Sequence, residues 1–261
     1  PTRRSSDLKR VIDEGGYAVG TKSDLTGGMN SLDKQNVMWG AGIQVADQAG
    51  GYAGFFTHMD NKEGAYAKSA PKLISKQLYN RISATDIRRD WWDPSDKESP
   101  YVSKKFSFAN VASFLGDYIY MRVEEMYFTA AEAALRLDDL KSARELMNTV
   151  MAERDPGYSA NNRSGTLLGA TTTTWTGSFL ENILTHRRIE LWGEYGRLFD
   201  VRRLGQGIDR RTDDGFSEEC ISMMNRRNVN ITKADTYDWV LTIPKAELDA
   251  NPNINEEDQN P

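Results

Sequence analysis

Two apolar stripes at helical spacing meet across a very short polar turn between Asp117 and Arg154, and this constrains the fold more than any other stretch. Ile119, Val123, Met126, Tyr127, Ala130, Ala134 and Leu137 recur every three or four residues, and Leu140, Ala143, Leu146, Met147, Val150 and Met151 resume the pattern beyond Asp138–Asp139. The spacing predicts a helical hairpin. Its first member, Asp117 to Leu137, spans about 30 Å at roughly 1.5 Å of rise per residue. Such a pair cannot cover its own apolar faces, so it requires further helices stacked against it.

Upstream, Ser6 caps a predicted short helix through Leu8, Val11 and Ile12 that stops at Gly15–Gly16, where glycine supplies a left-handed conformation. Val37, Trp39, Ala41, Ile43 and Val45 alternate with Met38, Gly40, Gly42 and Gln44, the period-two pattern of a half-buried strand with Trp39 in the apolar row. The Gly-, Tyr- and Phe-rich stretch Gln48 to Ala70 reads as a long surface loop, a length more often functional than incidental. Pro71 to Ile82 is weakly helical, Asp86 to Pro94 is irregular because of Asp93 and Pro94, and Tyr101 to Phe108 alternates again. After the hairpin, a Gly/Thr/Asn-rich connection covers Asp155 to Gly177. A third long helix begins near Ser178, carries Leu180, Ile183, Leu184, Arg187, Leu191, Trp192 and Tyr195, and ends at Gly196, with a further turn or two over Arg197 to Leu204. Leu241-Thr-Ile-Pro then leads into a capped turn and Asn- and Pro-rich coil.

At 261 residues, with 39% hydrophobic and 27% charged, the chain can bury a sizeable core. Its net charge of −5 gives no general attraction for phosphate backbones and argues against a nucleic-acid partner. Cys220 is the only cysteine, which rules out a disulfide framework or a cysteine-rich zinc site within the chain. No apolar run nears the roughly 20 residues that cross a bilayer, and no signal peptide is visible. The opening Pro-Thr-Arg-Arg-Ser-Ser without methionine reads as a fragment or a processed chain.

Several patterns invite chemistry. His186, Glu190 and Glu194 fall at i, i+4 and i+8 on one helix face and could converge on a metal ion, but the only other histidine is His58, in a distant loop. The competing reading pairs Arg187, Arg188, Arg197 and Arg203 with Glu190, Glu194 and Asp200 to lock the helix to its neighbours. Glu124, Glu125 and Glu132 could suggest the carboxylate pair of a glycoside hydrolase, yet adjacent Glu124 and Glu125 diverge on a helix, and one of them with Arg122 forms a packed ion pair instead. No Gly-x-Ser-x-Gly elbow exists, and Gly27-Gly28 and Gly50-Gly51 lack a phosphate-binding context. No catalytic residue, metal or cofactor is expected.

Two segments carry a resemblance. Tyr118-Ile-Tyr-Met-Arg-Val-Glu-Glu-Met-Tyr-Phe-Thr-Ala-Ala-Glu-Ala133, followed by Ala143 and Met147-Asn148-Thr-Val150, resembles the last helical repeat of SusD/RagB-type outer-membrane nutrient-binding lipoproteins. His186-Arg-Arg-Ile-Glu-Leu-Trp-Gly-Glu194-Tyr-Gly-Arg197-Leu-Phe-Asp200-Val-Arg-Arg203-Leu-Gly205 is similar to that family's ER-x-x-EL-x-x-EG-x-R-W-x-D-L-x-R-x-G segment, with His186 in place of Glu and Tyr195 in place of Gly. Asn36-Val-Met-Trp39, Lys104-Lys-Phe106 and Leu241-Thr-Ile-Pro-Lys-Ala-Glu-Leu-Asp-Ala-Asn-Pro252 match in the same order.

The resemblance implies a mainly α fold, a tetratricopeptide-like superhelix with long irregular loops and a few short strands, with residues 1–261 as a single C-terminal SusD/RagB-like region of a longer protein. It implies capture of oligosaccharide, or in some relatives peptide, at the surface of a Gram-negative outer membrane, and delivery to a SusC-type TonB-dependent transporter. Membrane attachment would come through a lipid anchor outside this sequence. The rival readings are a tetratricopeptide scaffold gripping a partner peptide and a helical glycoside hydrolase.

Sugar rings offer an apolar face to flat aromatic side chains while their hydroxyls seek polar groups. That chemistry points to Tyr52, Phe55, Phe56, His58, Asp60 and Asn61 in the first long loop and to Trp175, near Asn161, Asn162 and Arg163, in the second. Trp91 and Trp92, beside Arg88 and Arg89, are further candidates, at least one of them buried by alternation.

Overall fold

A computed structural model describes residues 2–47, 54–163, 177–194, 196–205 and 242–259. In chain order its helices are α1 (Thr2–Glu14), α2 (Lys22–Thr26), α3 (Phe55–Met59), α4 (Ala65–Ser69), α5 (Lys76–Tyr79), α6 (Val123–Arg136), α7 (Leu140–Ala152), α8 (Phe179–Glu190), α9 (Arg197–Arg203) and α10 (Lys245–Ala250). The strands are β1 (Val37–Ala41), β2 (Trp92–Asp93), β3 (Val102–Ser103) and β4 (Tyr118–Arg122). Among the described residues they form two antiparallel pairs, β1–β4 and β2–β3, so the protein is mainly α.

The hairpin forms as α6 and α7. Asp138 takes a left-handed φ of 60° in the turn, and the Asp139 side chain caps α7 by accepting from the Ser142 N–H at 3.0 Å. Phe128, Ala131 and Leu135 of α6 meet Ala143, Met147 and Val150 of α7, and Phe179, Leu180 and Ile183 of α8 close this core. α1 packs along α6, and Gly16 at φ 75° follows its end. The stacking demanded by the hairpin's uncovered face is thus met by α8 and α1.

The first five residues of the apolar stripe depart from expectation, since Tyr118–Arg122 is a strand. Ile119 lies opposite Gly40 and Ala41 opposite Tyr118, while Val123 donates its N–H to the Asn36 carbonyl at 2.9 Å. An available edge at β1 satisfies this backbone more completely than one more helical turn, and the helix starts only where β1 runs out. Trp39 also departs. The pairing slips on both sides of it, and these irregularities aim its side chain outward, leaving it 63% exposed.

A second core gathers Phe56, Ile74, Leu78, Trp91, Trp92, Phe106 and Phe108 and touches the first unit through Ile189 of α8. The described part of the Gln48 to Ala70 stretch is not a loop throughout, because α3 and α4 make a tight corner there. At Gly64 a Cβ would lie 2.5 Å from the Thr57 carbonyl oxygen and 2.7 Å from that of Asp60, so the corner closes only around a glycine. The third long helix ends at Glu190, earlier than expected. Gly193, at φ 74° and with the Phe106 ring 2.6 Å from where a Cβ would sit, carries the chain round to α9. Among the described residues no helix is long and apolar enough to cross a membrane.

Candidate functional site

Glu190, the last residue of α8, is the centre of a buried ion cluster. Its Oε1 accepts from Arg122 Nη1 at 2.9 Å and Arg154 Nη2 at 3.0 Å, and its Oε2 from Arg154 Nε at 3.0 Å and Arg88 Nη1 at 3.1 Å. Arg88 also binds Asp86 at 2.6 Å, Arg122 lies 3.1 Å from Glu124 and 2.6 Å from Glu194, and Lys105 Nζ donates to Glu194 at 2.6 Å. Four cations therefore face four carboxylates. The eight side chains come from six places: Asp86 and Arg88 from the turn before β2, Lys105 from just after β3, Arg122 from the end of β4, Glu124 from the first turn of α6, Arg154 from just after α7, and Glu190 and Glu194 from α8 and the turn after it. The cluster joins the two apolar cores.

Burial alone would raise the Glu190 carboxyl, but Arg154, Arg122 and Arg88 hold it well below the usual carboxylate range. Burial likewise opposes ionisation of Glu194, and Arg122 and Lys105 bring its pKa down. Lys105 is pulled by burial down to about 8 in spite of Glu194. His186 sits with Nδ1 2.9 Å from Arg88 Nη2, and burial followed by that arginine holds its pKa well below 6.5. It is a neutral acceptor for Arg88.

These contacts decide what the charged motif does. His186, Glu190 and Glu194 do not converge on a metal position, because each faces an arginine or a lysine; among the described residues no group of acids, histidines and cysteines is placed to hold a metal. Glu124 is committed to Arg122 and Arg154, Glu125 to Arg187 at 2.7 Å, and Glu132 to Arg203 at 2.7 Å and Arg136 at 2.9 Å. Arg187 and Arg203 share Asp200, which clamps α9 to α6 and α8. The expected pairing of these arginines with Asp200 holds, whereas Glu190 and Glu194 take partners from outside the segment.

The sugar-contact candidates scatter. Tyr52 and Trp175 lie outside the described residues. Phe56, Trp91 and Trp92 are core side chains, at most 3% exposed, and Phe55 packs edge-on against Phe56 and Phe106. Trp91 donates its Nε1 to the Leu25 carbonyl at 3.0 Å. Asp60 is buried, its carboxylate accepting from the N–H groups of Lys62 and Glu63 at 2.9 Å and of Phe108 at 3.0 Å. Asn61 bridges the Ser103 carbonyl and the Lys72 N–H, both at 2.8 Å. These groups hold the fold, and Trp91, Asp60 and Asn61 spend their polar atoms on backbone. His58 alone of the described candidates has an exposed side chain, and it stacks on Tyr66 with ring centroids 4.7 Å apart.

Sequence reasoning missed several open rings; Phe199 of α9 is 66% exposed, and three others lie elsewhere. Trp39 and Tyr120, the latter 41% exposed, meet edge to face at 5.1 Å on the outer side of the β1–β4 pair, and Tyr66 is 43% exposed. The strand pattern put Trp39 inside, and only the pairing irregularity at Trp39 reverses it. A cleft of about 720 Å³ lies beside the α3–α4 corner, and its lining includes Lys62, Glu63, Lys68, Phe106, Val111 and the β3 residue Val102. Its size suits a few sugar units, and its walls mix apolar and hydroxyl-seeking groups.

The SusD family model matches residues 52–261, four-fifths of the chain. The chain belongs to the SusD family. Solved SusD-type structures show the same fold. A SusD-like carbohydrate-binding protein from Bacteroides vulgatus ATCC 8482 is 26% identical with a TM-score of 0.64, over 79% of this chain and 42% of that one. A SusD superfamily protein from Bacteroides thetaiotaomicron VPI-5482 is 22% identical with a TM-score of 0.71, over 98% of this chain and 56% of that one. Surface glycan-binding protein A from Bacteroides uniformis is 15% identical with a TM-score of 0.58, over 99% and 56%. The chain thus spans about half the length of these three proteins. A search of curated proteins returns no match.

Proposed function

We propose that this SusD-family chain captures oligosaccharide at the outer surface of a Gram-negative outer membrane and delivers it to a SusC-type TonB-dependent transporter. The observation that carries the reading is the family match over residues 52–261. A 26% identical relative described as carbohydrate-binding supports it. Residues 1–261 are read as one C-terminal SusD-like domain, with α6, α7 and α8 as the end of a tetratricopeptide-like stack. The role is read as binding without chemistry, a reading supported by the commitment of Glu124, Glu125 and Glu132, the acids a hydrolase reading singles out, to arginines within the fold.

Sugar contact is assigned to the outward rings, Trp39 with Tyr120 and His58 with Tyr66, with Tyr52 and Trp175 kept as candidates on sequence grounds. The test is incubation of the protein with a panel of neutral and acidic oligosaccharides, following binding by calorimetry and products by chromatography. Saturable binding with every oligosaccharide recovered intact supports the reading. Shortened products, or no binding across the panel, would contradict it.

A further inference from the structure

A second cleft, of about 540 Å³, adjoins the first, and Asp93 and Lys104 line both clefts. Its character differs from the first. Apart from Tyr79 and Trp92, its side-chain lining is dominated by charged and hydroxyl groups, including Lys22, Arg89 and Asp90.

Arg89 is the best-fixed of these. Its guanidinium lies 4.4 Å from the centre of the Tyr79 ring, and Nη1 donates to the Ile82 carbonyl at 2.8 Å. A guanidinium carries five N–H donors in a rigid plane, so most of its donors stay uncommitted while its position is set. Among the acids of the cleft, Asp86 is consumed by Arg88 at 2.6 Å. Asp93 accepts from the Ser95 hydroxyl at 2.7 Å and lies 3.7 Å from Lys104. That leaves Lys22 and the free edge of Arg89 against the single carboxylate of Asp90. On a chain of net charge −5, this is a local excess of cationic donors, of which Arg89 is held in place.

We propose that this second cleft is an anion-selecting subsite, in which Arg89 and Lys22 receive the carboxylate or sulfate ester of an acidic sugar while Asp90 and Asp93 face its hydroxyls. It rests on the glycan-capture reading. Because the two clefts share Asp93 and Lys104, one bent oligosaccharide reaches both, its less polar face toward Phe106 and Val111 and its charged unit toward Arg89.

The test uses two matched pairs: hexagalacturonate against its methyl ester, and isomaltohexaose sulfate against isomaltohexaose. At least one anionic member should bind ten-fold or more tightly than its neutral twin, and the preference should shrink as salt screens it. A preference in only the first pair identifies a carboxylate, and in only the second a sulfate. Arg89→Gln and Lys22→Gln should each remove at least three-fold of that preference, weakening the anionic member more than its neutral twin. Lys22 is exposed, so its variant keeps the test valid should Arg89→Gln disturb the fold. No preference in either pair, whether all four bind alike or none binds, overturns the proposal, as does a preference that both variants retain. Neutral oligosaccharides that still bind elsewhere in the wider panel would leave glycan capture standing.

Discussion

Both carboxylate oxygens of Glu190 are held by Arg154, with Nε 3.0 Å from Oε2 and Nη2 3.0 Å from Oε1, and neither side chain has any exposed surface. This bidentate pair closes the contact between the end of α7 and the end of α8. Arg88 and Arg122 share the same carboxylate, so its removal leaves three guanidinium groups competing for the remaining acids.

Glu190→Gln should therefore destabilise the protein by about 3–5 kcal/mol, the range for breaking one member of a buried, hydrogen-bonded ion set. Urea unfolding followed by circular dichroism measures it. A loss under about 1 kcal/mol would show that the cluster does not support the joint between the two cores.

Stability should fall in two stages on acidification. His186 is held well below its unfolded value of 6.5 by burial and then Arg88, so the unfolded chain binds a proton there that the folded chain does not, and stability drops as pH passes below 6.5. Glu190 is held well below 4.5, burial notwithstanding, by Arg154, Arg122 and Arg88; its contribution is complete above 4.5 and disappears as pH falls through the folded value. Each proton adds a slope of about 1.4 kcal/mol per pH unit. His186→Gln, measured by denaturant titration between pH 7 and 4, should flatten the first stage and leave the second. An unchanged profile above pH 5 would contradict the neutral, buried histidine.

Two tryptophans from one sequence should behave oppositely. Trp92→Ala removes a core ring that is 1% exposed and should cost about 3–5 kcal/mol. Trp39→Ala, at a ring 63% exposed, should change stability by about 0.5 kcal/mol or less. Thermal unfolding of the two variants side by side checks the contrast, and comparable losses would place Trp39 inside.

Gly64→Ala should destabilise the α3–α4 corner by about 1–3 kcal/mol, since the new methyl meets three backbone carbonyl oxygens within 2.8 Å and none of them is a flexible side chain. Amide exchange localises the effect. Protection should be lost first at the N–H groups of Gly64 and Lys68, which donate to the carbonyls of Asp60 and Gly64 at 2.8 and 3.0 Å, and uniform loss across the molecule would point to a different cause.

Much of the helical frame was legible because it follows from local periodicity. The α6–α7 hairpin, the Asp138–Asp139 turn, the Ser178 cap of α8 and the break before α9 are all encoded within a few residues of where they occur. Long-range choices were not. The partners of Glu190 are Arg88, Arg122 and Arg154, 102, 68 and 36 positions away, and nothing near Glu190 in sequence distinguishes them from Arg187 or Arg188. Tyr118–Arg122 has an apolar pattern that serves a helix or a strand, and only pairing with β1 decides between them. The candidate site was the least legible part. Aromatic side chains in Gly-rich stretches look alike in sequence whether they seal a core, as Phe56 and Trp92 do, or face solvent, as Trp39 and Tyr66 do.

Titration calorimetry of the protein with its tightest-binding oligosaccharide, repeated on Trp39→Ala and Tyr66→Ala, tests the account most directly. The wild-type chain should bind saturably, and each loss of a stacking ring should weaken binding about five-fold, roughly 1 kcal/mol, with the melting temperature unchanged. Identical affinity in all three proteins, or no saturable binding of any oligosaccharide, would contradict glycan capture on these exposed rings.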